Sequence, residues 1–417
     1  MKSISLGVKR LPGSHTGERL ADTIRAICDE FNIFNKVVSM TGDNAKNMHV
    51  AAKHLKLPYI SCFAHVLNRI VVTTLANLKI DVGNDESMPV LVKCRKLIGT
   101  FNHSTQLTET LIEDQMKTND QEPDKSKWTK LRLIQDVVTR WNSLYLMLSR
   151  LVKLKDAVKR VLHLRENTNH LEKNLTDDEY KNMEELCSVL EPFFKSTEML
   201  SGEKYCTQSL IWPTQCKLYK KVAHKKSDSD FIKRVKSELK IQMDAYFYKY
   251  DLSEENGGLI AATILDPRFK QLKFLDKDAD LKAYYKFAAD VIEQKFPEFA
   301  RSLDSRDGNL EKKKKHFLSD DEEEPTNYKN TLKEIQKYAT YPKLWPEDFY
   351  PQYGYIFKRL DKASKSFLLS PATRVPVERV FSHASFQVKI ILFKYFFRKN
   401  INNRFFPGKR SKEQVIG

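Results

Sequence analysis

Hydrophobic positions in the first 75 residues follow strand spacing and helix spacing in turn. Ile4, Leu6 and Val8 alternate with polar neighbours, as in a half-buried strand. The β-branched run at 36–40 predicts a buried strand, 49–55 a helix, and 59–61 a short strand. Two amphipathic helices are expected to face inward through Leu20, Thr23, Ile24, Ile27, Cys28 and Phe31, and through Val66, Leu67, Ile70, Val71 and Leu75. The order is therefore strand then helix, three times.

Helical spacing dominates the chain from there to about residue 300. A helical stretch covers 89–117, and turns are predicted at 167–174, near Trp212-Pro213 and at 254–258. One helix beyond Trp141 carries an apolar face formed by Leu144, Leu148, Leu151, Leu154, Val158 and Val161. Opposed charge blocks at 312–315 and 320–324 predict that 301–330 is disordered, and 353–385 is again predicted helical.

Charge and cysteine usage narrow the class of protein. A net charge of +17 and a pI near 9.3 favour polyanion binding but do not distinguish DNA from RNA or an acidic protein. Six cysteines without a Cys-x-x-Cys pair are typical of a reducing compartment. With no signal sequence and no run of ~20 apolar residues, we expect a soluble intracellular protein without a membrane partner. The basic run at 312–315 is either a nuclear-import signal or part of a solvated linker.

The turn after the second predicted strand is the first candidate for chemistry. Thr41 to Met48 reads Thr-Gly-Asp-Asn-Ala-Lys-Asn-Met, and Gly42 permits a tight turn there. A carboxylate at this place projects from the rim of a sheet, where α/β folds usually carry their sites. Asp43 or Asn44 could equally serve only to cap the helix that follows.

Four further segments, together with that turn, form a pattern typical of a known family. These are Cys-Phe-Ala-His-Val-Leu-Asn at 62–68, Thr-Arg-Trp-Asn-Ser at 139–143, Leu-Asp-Pro-Arg-Phe-Lys at 265–270 and Ser-Pro-Ala-Thr-Arg-Val-Pro-Val-Glu-Arg-Val-Phe-Ser at 370–382. Together with the Asp43 segment, in this order, they resemble the hAT superfamily of DNA transposases and the zinc finger BED-type proteins derived from them.

The resemblance implies a fold and a domain order. The fold class is α/β but mostly helical: an incomplete ribonuclease-H-like domain interrupted by a large all-α insertion domain. Residues 1–140 would form the partial ribonuclease-H-like domain and 141–300 the helical insertion. The charged linker of 301–330 would follow, then a ribonuclease-H-like and dimerisation region at 331–386 and a divergent basic tail at 387–417.

The resemblance also implies the candidate catalytic residues. Asp43 and Glu378 match the second and third of the family's three metal-binding carboxylates, and carboxylate oxygens suit Mg²⁺ or Mn²⁺. The first carboxylate would lie on a strand before Ile4 and has no counterpart, so we expect a truncated chain without transposase activity. The BED zinc finger that supplies sequence-specific recognition in the family is also missing.

Candidate binding residues follow from the same match. Arg140 and Trp141 correspond to a position where an indole stacks on an extruded base, although Trp141 could equally be a buried helix anchor. His65 would face the cleft; Cys62 and His65 have zinc-ligand spacing, but without a second pair we expect no zinc site. The dimerisation signature contributes Pro376, Glu378, Arg379 and Phe381.

Three functions remain open from the sequence. The leading one is a nuclear, catalytically inactive transposase-derived protein with weak, salt-sensitive DNA binding that pairs with itself or with related proteins. The second is an active transposase known only through an incomplete gene model. The third is a protein-interaction module whose basic charge is incidental.

Overall fold

The computed structural model describes residues 5–11, 13–80, 90–119, 130–137, 141–247, 257–301, 330–375 and 389–393. Helices dominate these residues, which confirms the mostly helical part of the predicted fold class. In chain order the elements are β1 (Ser5–Arg10), α1 (Gly17–Glu30), β2 (Met40–Gly42), α2 (Lys46–His54), β3 (Tyr59–Ser61), α3 (Phe63–Asn77), α4 (Val90–His103), α5 (Thr105–Asn119), α6 (Trp141–Lys153), α7 (Lys155–Leu162), α8 (Asp177–Leu200), α9 (Ile211–Val222), α10 (Asp230–Phe247), α11 (Gly257–Leu265), α12 (Leu281–Lys295), α13 (Glu298–Arg301), α14 (Thr331–Tyr338), α15 (Pro346–Tyr353), α16 (Lys358–Phe367) and β4 (Lys389–Phe393).

The chain divides into two compact units, each built from separate stretches of sequence. Unit 1 takes residues 1–60, 202–210 and 254–417, and unit 2 takes 61–201 and 211–253. Neither unit is one continuous stretch of chain. The domain bounds implied by the resemblance stay a prediction.

The N-terminal part of unit 1 has the predicted order of strands and helices. The Thr16 hydroxyl caps α1 by accepting from the Arg19 N–H at 3.4 Å. The inner face of α1 packs with Met40 and with Ala51, Ala52 and Leu55 of α2 into one core. Phe31 was expected inward but is 42% exposed, because it is the residue at which α1 ends.

The second strand begins four residues later than the sequence predicts. A 3-10 helix covers Phe34–Lys36, and β2 runs only over Met40–Gly42. Local bonds explain the shift, since the N–H groups of Lys36 and Val37 donate to the carbonyls of Ile33 and Phe34 at 2.8 and 3.0 Å. β2 pairs with β3, and β1 pairs antiparallel with β4, with Val8 opposite Ile391. The basic-tail interpretation of 387–417 did not foresee that pairing.

Unit 2 is mostly helical in its described residues, with irregular chain at 130–137. The predicted inner faces of α3 and of the helix after Trp141 are all buried, which confirms both. That second helix breaks at Leu154, between α6 and α7. The turn predicted near Trp212-Pro213 is wrong: α9 begins at Ile211, and Pro213 lies in its first turn, where a missing N–H has no intrahelical partner to lose.

Two other predicted segments need comment. Residues 353–385 were expected to be helical, yet α16 ends at Phe367 and 368–374 is irregular chain with a proline at 371. The predicted disorder at 302–329 lies outside the described residues. Within the described residues, no helix is both long and apolar enough to cross a membrane.

Candidate functional site

At the end of β2, in unit 1, the side chain of Tyr59 packs against Gly42. The Tyr59 hydroxyl donates to the carbonyl of Asp43. A Cβ on Gly42 would lie 3.1 Å from Cζ of the same ring and closer still to its hydroxyl. Glycine is therefore required here by the close approach of the tyrosine, which fixes the turn that carries Asp43.

The Asp43 carboxylate has two partners. Its Oδ1 accepts from the Ala45 N–H at 3.3 Å, and its Oδ2 lies 2.8 Å from Nη1 of Arg374. Ala45 is the N-cap residue of α2 and makes no side-chain cap bond of its own. The prediction that Asp43 or Asn44 caps α2 is therefore wrong. Asp43 accepts from the N–H of the N-cap residue in the turn before the helix, and it is also an ion-pair partner. The two side chains are 26% and 35% exposed.

Residues 370–374 dock along the end of β2 through three successive contacts. The hydroxyls of Ser39 and Ser370 are hydrogen-bonded to each other, and the Thr41 hydroxyl donates to the Pro371 carbonyl at 2.9 Å. The Asp43–Arg374 pair is the third contact. Because 39, 41 and 43 alternate along extended chain, all three point to one side. Two signature segments that lie more than 300 residues apart in sequence therefore meet in unit 1.

A third stretch of unit 1 forms a hydrogen bond with the docked segment. The Ala372 N–H donates to the hydroxyl of Thr207 at 2.9 Å, and both residues are fully buried. Thr207 belongs to 202–210, the short return of the chain to unit 1. The position of Arg374 is consequently set by buried chain on one side and by β2 on the other.

The described residues do not by themselves form a divalent-metal site at Asp43. Each of its carboxylate oxygens already has a partner, the Ala45 N–H on Oδ1 and the Arg374 guanidinium on Oδ2. One oxygen next to it is unused, since the buried Asn44 Oδ1 has no hydrogen-bond partner. No cluster of three or more metal-ligating side chains exists among the described residues. Glu378 lies outside them, so the predicted pairing of Asp43 with Glu378 stays a prediction.

Trp141 lies in unit 2 as the first residue of α6. Its side chain is buried, and its backbone N–H donates to Asn68 Oδ1 at 3.3 Å. Asn68 closes the 62–68 segment on α3, so two further signature segments meet inside unit 2. In this arrangement the indole anchors the start of a helix, and base stacking, which needs an accessible ring face, stays a prediction. Arg140 lies outside the described residues.

The remaining predicted site residues divide between α3 and the undescribed chain. Cys62 is buried at the start of α3, and the His65 N–H donates to its carbonyl at 3.1 Å, while the His65 side chain is half-buried. The predicted dimerisation residues Pro376, Glu378, Arg379 and Phe381 all lie outside the described residues.

One polar centre was not assigned a role from sequence. Asp266, fully buried at the end of α11, accepts from the Ser209 hydroxyl at 2.6 Å and holds the Arg268 guanidinium at 2.6 and 2.9 Å. The hydroxyls of Tyr338 and Tyr350 both donate to the preceding carbonyl, that of Leu265. The sequence did contain a signal for this centre, because 265–270 is one of the five signature segments. In the structure this segment joins Ser209, α14 and α15 within unit 1.

Comparisons with known proteins define the class first. Residues 60–189 match the family model described as the ZBED1 RNase-like helical domain. The matched range contains the 62–68 segment and Trp141, and it falls almost wholly within unit 2. Residues 60–189 are therefore similar to an RNase-like helical domain.

Individual relatives then identify the wider group. The chain is 28% identical over 283 residues to a putative AC transposase of Zea mays, covering 64% of this chain and 32% of the relative. It is 28% identical over 237 residues to a putative transcriptional regulator, tpeD, of Talaromyces stipitatus (49% and 26%), and 25% identical over 221 residues to zinc finger BED domain-containing protein 4 of Homo sapiens (53% and 17%). The chain is thus homologous to hAT transposases and zinc finger BED domain proteins, and it matches about a third or less of the length of these relatives.

Proposed function

We propose that this chain is a transposase-derived nuclear protein that binds DNA, associates with itself or with related proteins, and does not cleave DNA. Homology to hAT transposases, a transcriptional regulator and BED-type zinc finger proteins supports the derivation and the nuclear location. The net charge of +17 supports polyanion binding. We retain the interrupted ribonuclease-H-like architecture and the C-terminal dimerisation signature as parts of this proposal.

The observation that carries the proposal is the docking of 370–374 on β2. It brings together the Asp43 turn and the start of the C-terminal signature, which supports the interrupted architecture kept in this proposal. It also commits Asp43 to Arg374 at 2.8 Å. A carboxylate held by a guanidinium is a poorer ligand for Mg²⁺ or Mn²⁺, because metal binding must first break a charge-assisted hydrogen bond. The proposed role of Asp43 in this chain is therefore to hold the docked segment, with any metal bound only weakly.

The test uses the full chain with radiolabelled duplex DNA at 50 and 200 mM salt, with and without Mn²⁺. We expect retention at low salt that falls steeply at 200 mM, and no nicking or joining. Manganese-dependent nicking that Asp43→Ala abolishes would instead identify an active transposase. Absence of retention even at 50 mM salt would leave the protein-interaction module as the function.

A further inference from the structure

The hairpin formed by α9 and α10 of unit 2, with its connecting loop at 223–229, is a strongly basic surface. Residues 217–240 contain nine lysines and arginines against three acidic residues. Eight of the nine basic side chains are exposed, namely Lys217, Lys220, Lys221, Lys225, Lys226, Lys233, Arg234 and Lys240. A surface of this kind has a strongly positive potential.

Most of these charges are not neutralised by neighbouring carboxylates. Lys233 pairs with Asp230 at 2.9 Å. Within the described residues no ion pair is found for Lys217, Lys221, Lys225, Lys226, Arg234 or Lys240. Three other lysines of unit 2 differ from these, because Lys155, Lys159 and Lys195 each contact an acidic residue of α8. The hairpin therefore keeps its charge available for an external anion.

The loop of the hairpin is held in place by a buried ion pair. Lys236 Nζ lies 2.7 Å from Asp228 Oδ2, with side chains only 5% and 9% exposed. The same carboxylate oxygen accepts from the Lys225 N–H at 2.7 Å, and Lys236 also donates to the Ala223 carbonyl at 3.3 Å. The backbone that carries Lys225 and Lys226 is thus fixed before any ligand arrives, which lowers the entropic cost of binding.

The spacing of the charges fits a polymer of phosphates. From Lys233 to Lys240 the exposed stripe of α10 extends about 10 Å, at ~1.5 Å per residue. One strand of duplex DNA presents about three phosphates over that length, at ~3.4 Å per phosphate. Ile241 is the only strongly exposed large apolar side chain on the two helices, all of whose residues are described. A protein partner usually needs several apolar anchors, and a phosphate backbone needs none.

We infer that the α9–α10 hairpin is the surface that binds the phosphodiester backbone of duplex DNA, without reading its sequence. The inference rests on the proposed DNA binding and assigns it to particular residues. Lysine and arginine side chains on two helices and a rigid loop contact phosphate oxygens, and the buried Asp228–Lys236 pair positions the loop.

The experiment compares two triple variants of the full chain with equal change in net charge. The hairpin variant carries Lys221→Gln, Lys225→Gln and Arg234→Gln. The control carries Lys155→Gln, Lys159→Gln and Lys195→Gln, in the same unit but at neutralised positions. Affinity for a fluorescent 20-base-pair duplex is measured by anisotropy from 50 to 200 mM salt, and circular dichroism confirms that both variants are folded.

We expect the hairpin variant to bind at least tenfold more weakly than the unmodified chain at 50 mM salt. Its slope of log K against log salt should be smaller by about two to three, at ~0.9 per phosphate contact. The control should stay within about threefold of the unmodified chain. Equal affinity of the two variants would overturn the assignment while leaving DNA binding intact. An unmodified chain that binds poly-glutamate but not DNA would overturn both the assignment and the proposed function.

Discussion

Unit 1 contains two aspartate–arginine pairs of the same chemistry in opposite surroundings. Asp43 and Arg374 lie far apart in sequence, and their side chains are 26% and 35% exposed. Asp266 and Arg268 are two residues apart, and the carboxylate is completely buried. The exposed pair is weakened by water and salt, whereas breaking the buried pair leaves an uncompensated charge in the interior. The first is a partly exposed contact that holds the docked segment, and the second is part of the interior of the fold.

Glu334 adds a third case to this comparison. It is buried in α14 and accepts the N–H groups of Arg359 and Leu360 at 3.0 and 3.1 Å. These bonds to the start of α16 do not fully offset the loss of water, and burial raises the pKa of Glu334 to about 7.

The largest effect is expected from Asp266→Ala. The change leaves Arg268 and the Ser209 hydroxyl without their buried acceptor, so the free energy of unfolding should fall by about 3–5 kcal/mol. Urea denaturation followed by circular dichroism measures the loss. Lys362→Ala removes the exposed pair with Glu298 as a control and should cost less than about 1 kcal/mol. Similar losses in the two variants would contradict the distinction between buried and exposed pairs.

The next largest effect is a pH dependence that Glu334 imposes on stability. Its folded pKa of about 7 exceeds its usual value of 4.5. Between those values the unfolded chain releases a proton that the folded chain keeps, so stability falls as pH rises through this window. The loss should approach about 3 kcal/mol by pH 8, at ~1.36 kcal/mol per pKa unit.

Glu334→Gln is the control for that profile. The amide keeps an acceptor for the backbone N–H groups but carries no charge, so the variant should lose less stability than the unmodified chain between pH 4.5 and 8. Urea midpoints across this range provide the comparison. Parallel profiles for the two proteins would show that other groups cause the dependence.

A smaller effect is expected from Gly42→Ala at the end of β2. The added methyl group must displace the Tyr59 ring, whose hydroxyl bonds to the Asp43 carbonyl, at a cost of about 1–3 kcal/mol. Combining it with Tyr59→Leu removes the obstruction, so the methyl group should cost less in that background. Thermal denaturation of the four proteins gives the coupling, and additive losses would contradict the proposed contact.

The smallest effect belongs to the Asp43–Arg374 pair. A double-mutant cycle with Asp43→Ala and Arg374→Ala should give a coupling of about 0.5–1 kcal/mol. Raising the salt from 0.1 to 1 M shortens the screening length from about 10 to about 3 Å and should reduce that coupling. A coupling above about 3 kcal/mol at both salt concentrations would show that this pair stabilises the fold as strongly as the buried Asp266–Arg268 pair.

Helix faces could be predicted from the sequence because their signal is local. The stripe from Leu144 to Val161 is buried as expected, since each turn of helix repeats the same evidence. The break at Leu154 keeps the same apolar stripe facing inward, so the hydrophobic pattern did not predict it. The shifted start of β2 reflects the 3-10 helix at Phe34–Lys36, whose hydrogen bonds take up the N–H groups of Lys36 and Val37 at the start of the predicted strand.

The candidate site could be predicted only in part. Asp43 was found through its signature, and Arg374 lies inside another quoted signature, yet no spacing rule connects them. Their contact depends on the docking of irregular chain, and Ser39 and Ser370 in the same contact are separated by 331 residues. The role of Asp266 was missed for a similar reason, because its partner Ser209 is 57 residues away in sequence.

That docking also has a consequence for how the chain is made. The Ser39 and Ser370 hydroxyls join residues 331 positions apart, so the end of β2 emerges from the ribosome long before its partner. At ~5–20 residues per second the interval is roughly 15 to 65 seconds. All of unit 2 is translated within that interval and can fold before residue 370 is made. The end of β2 cannot form its contacts with 370–374 until the interval is over.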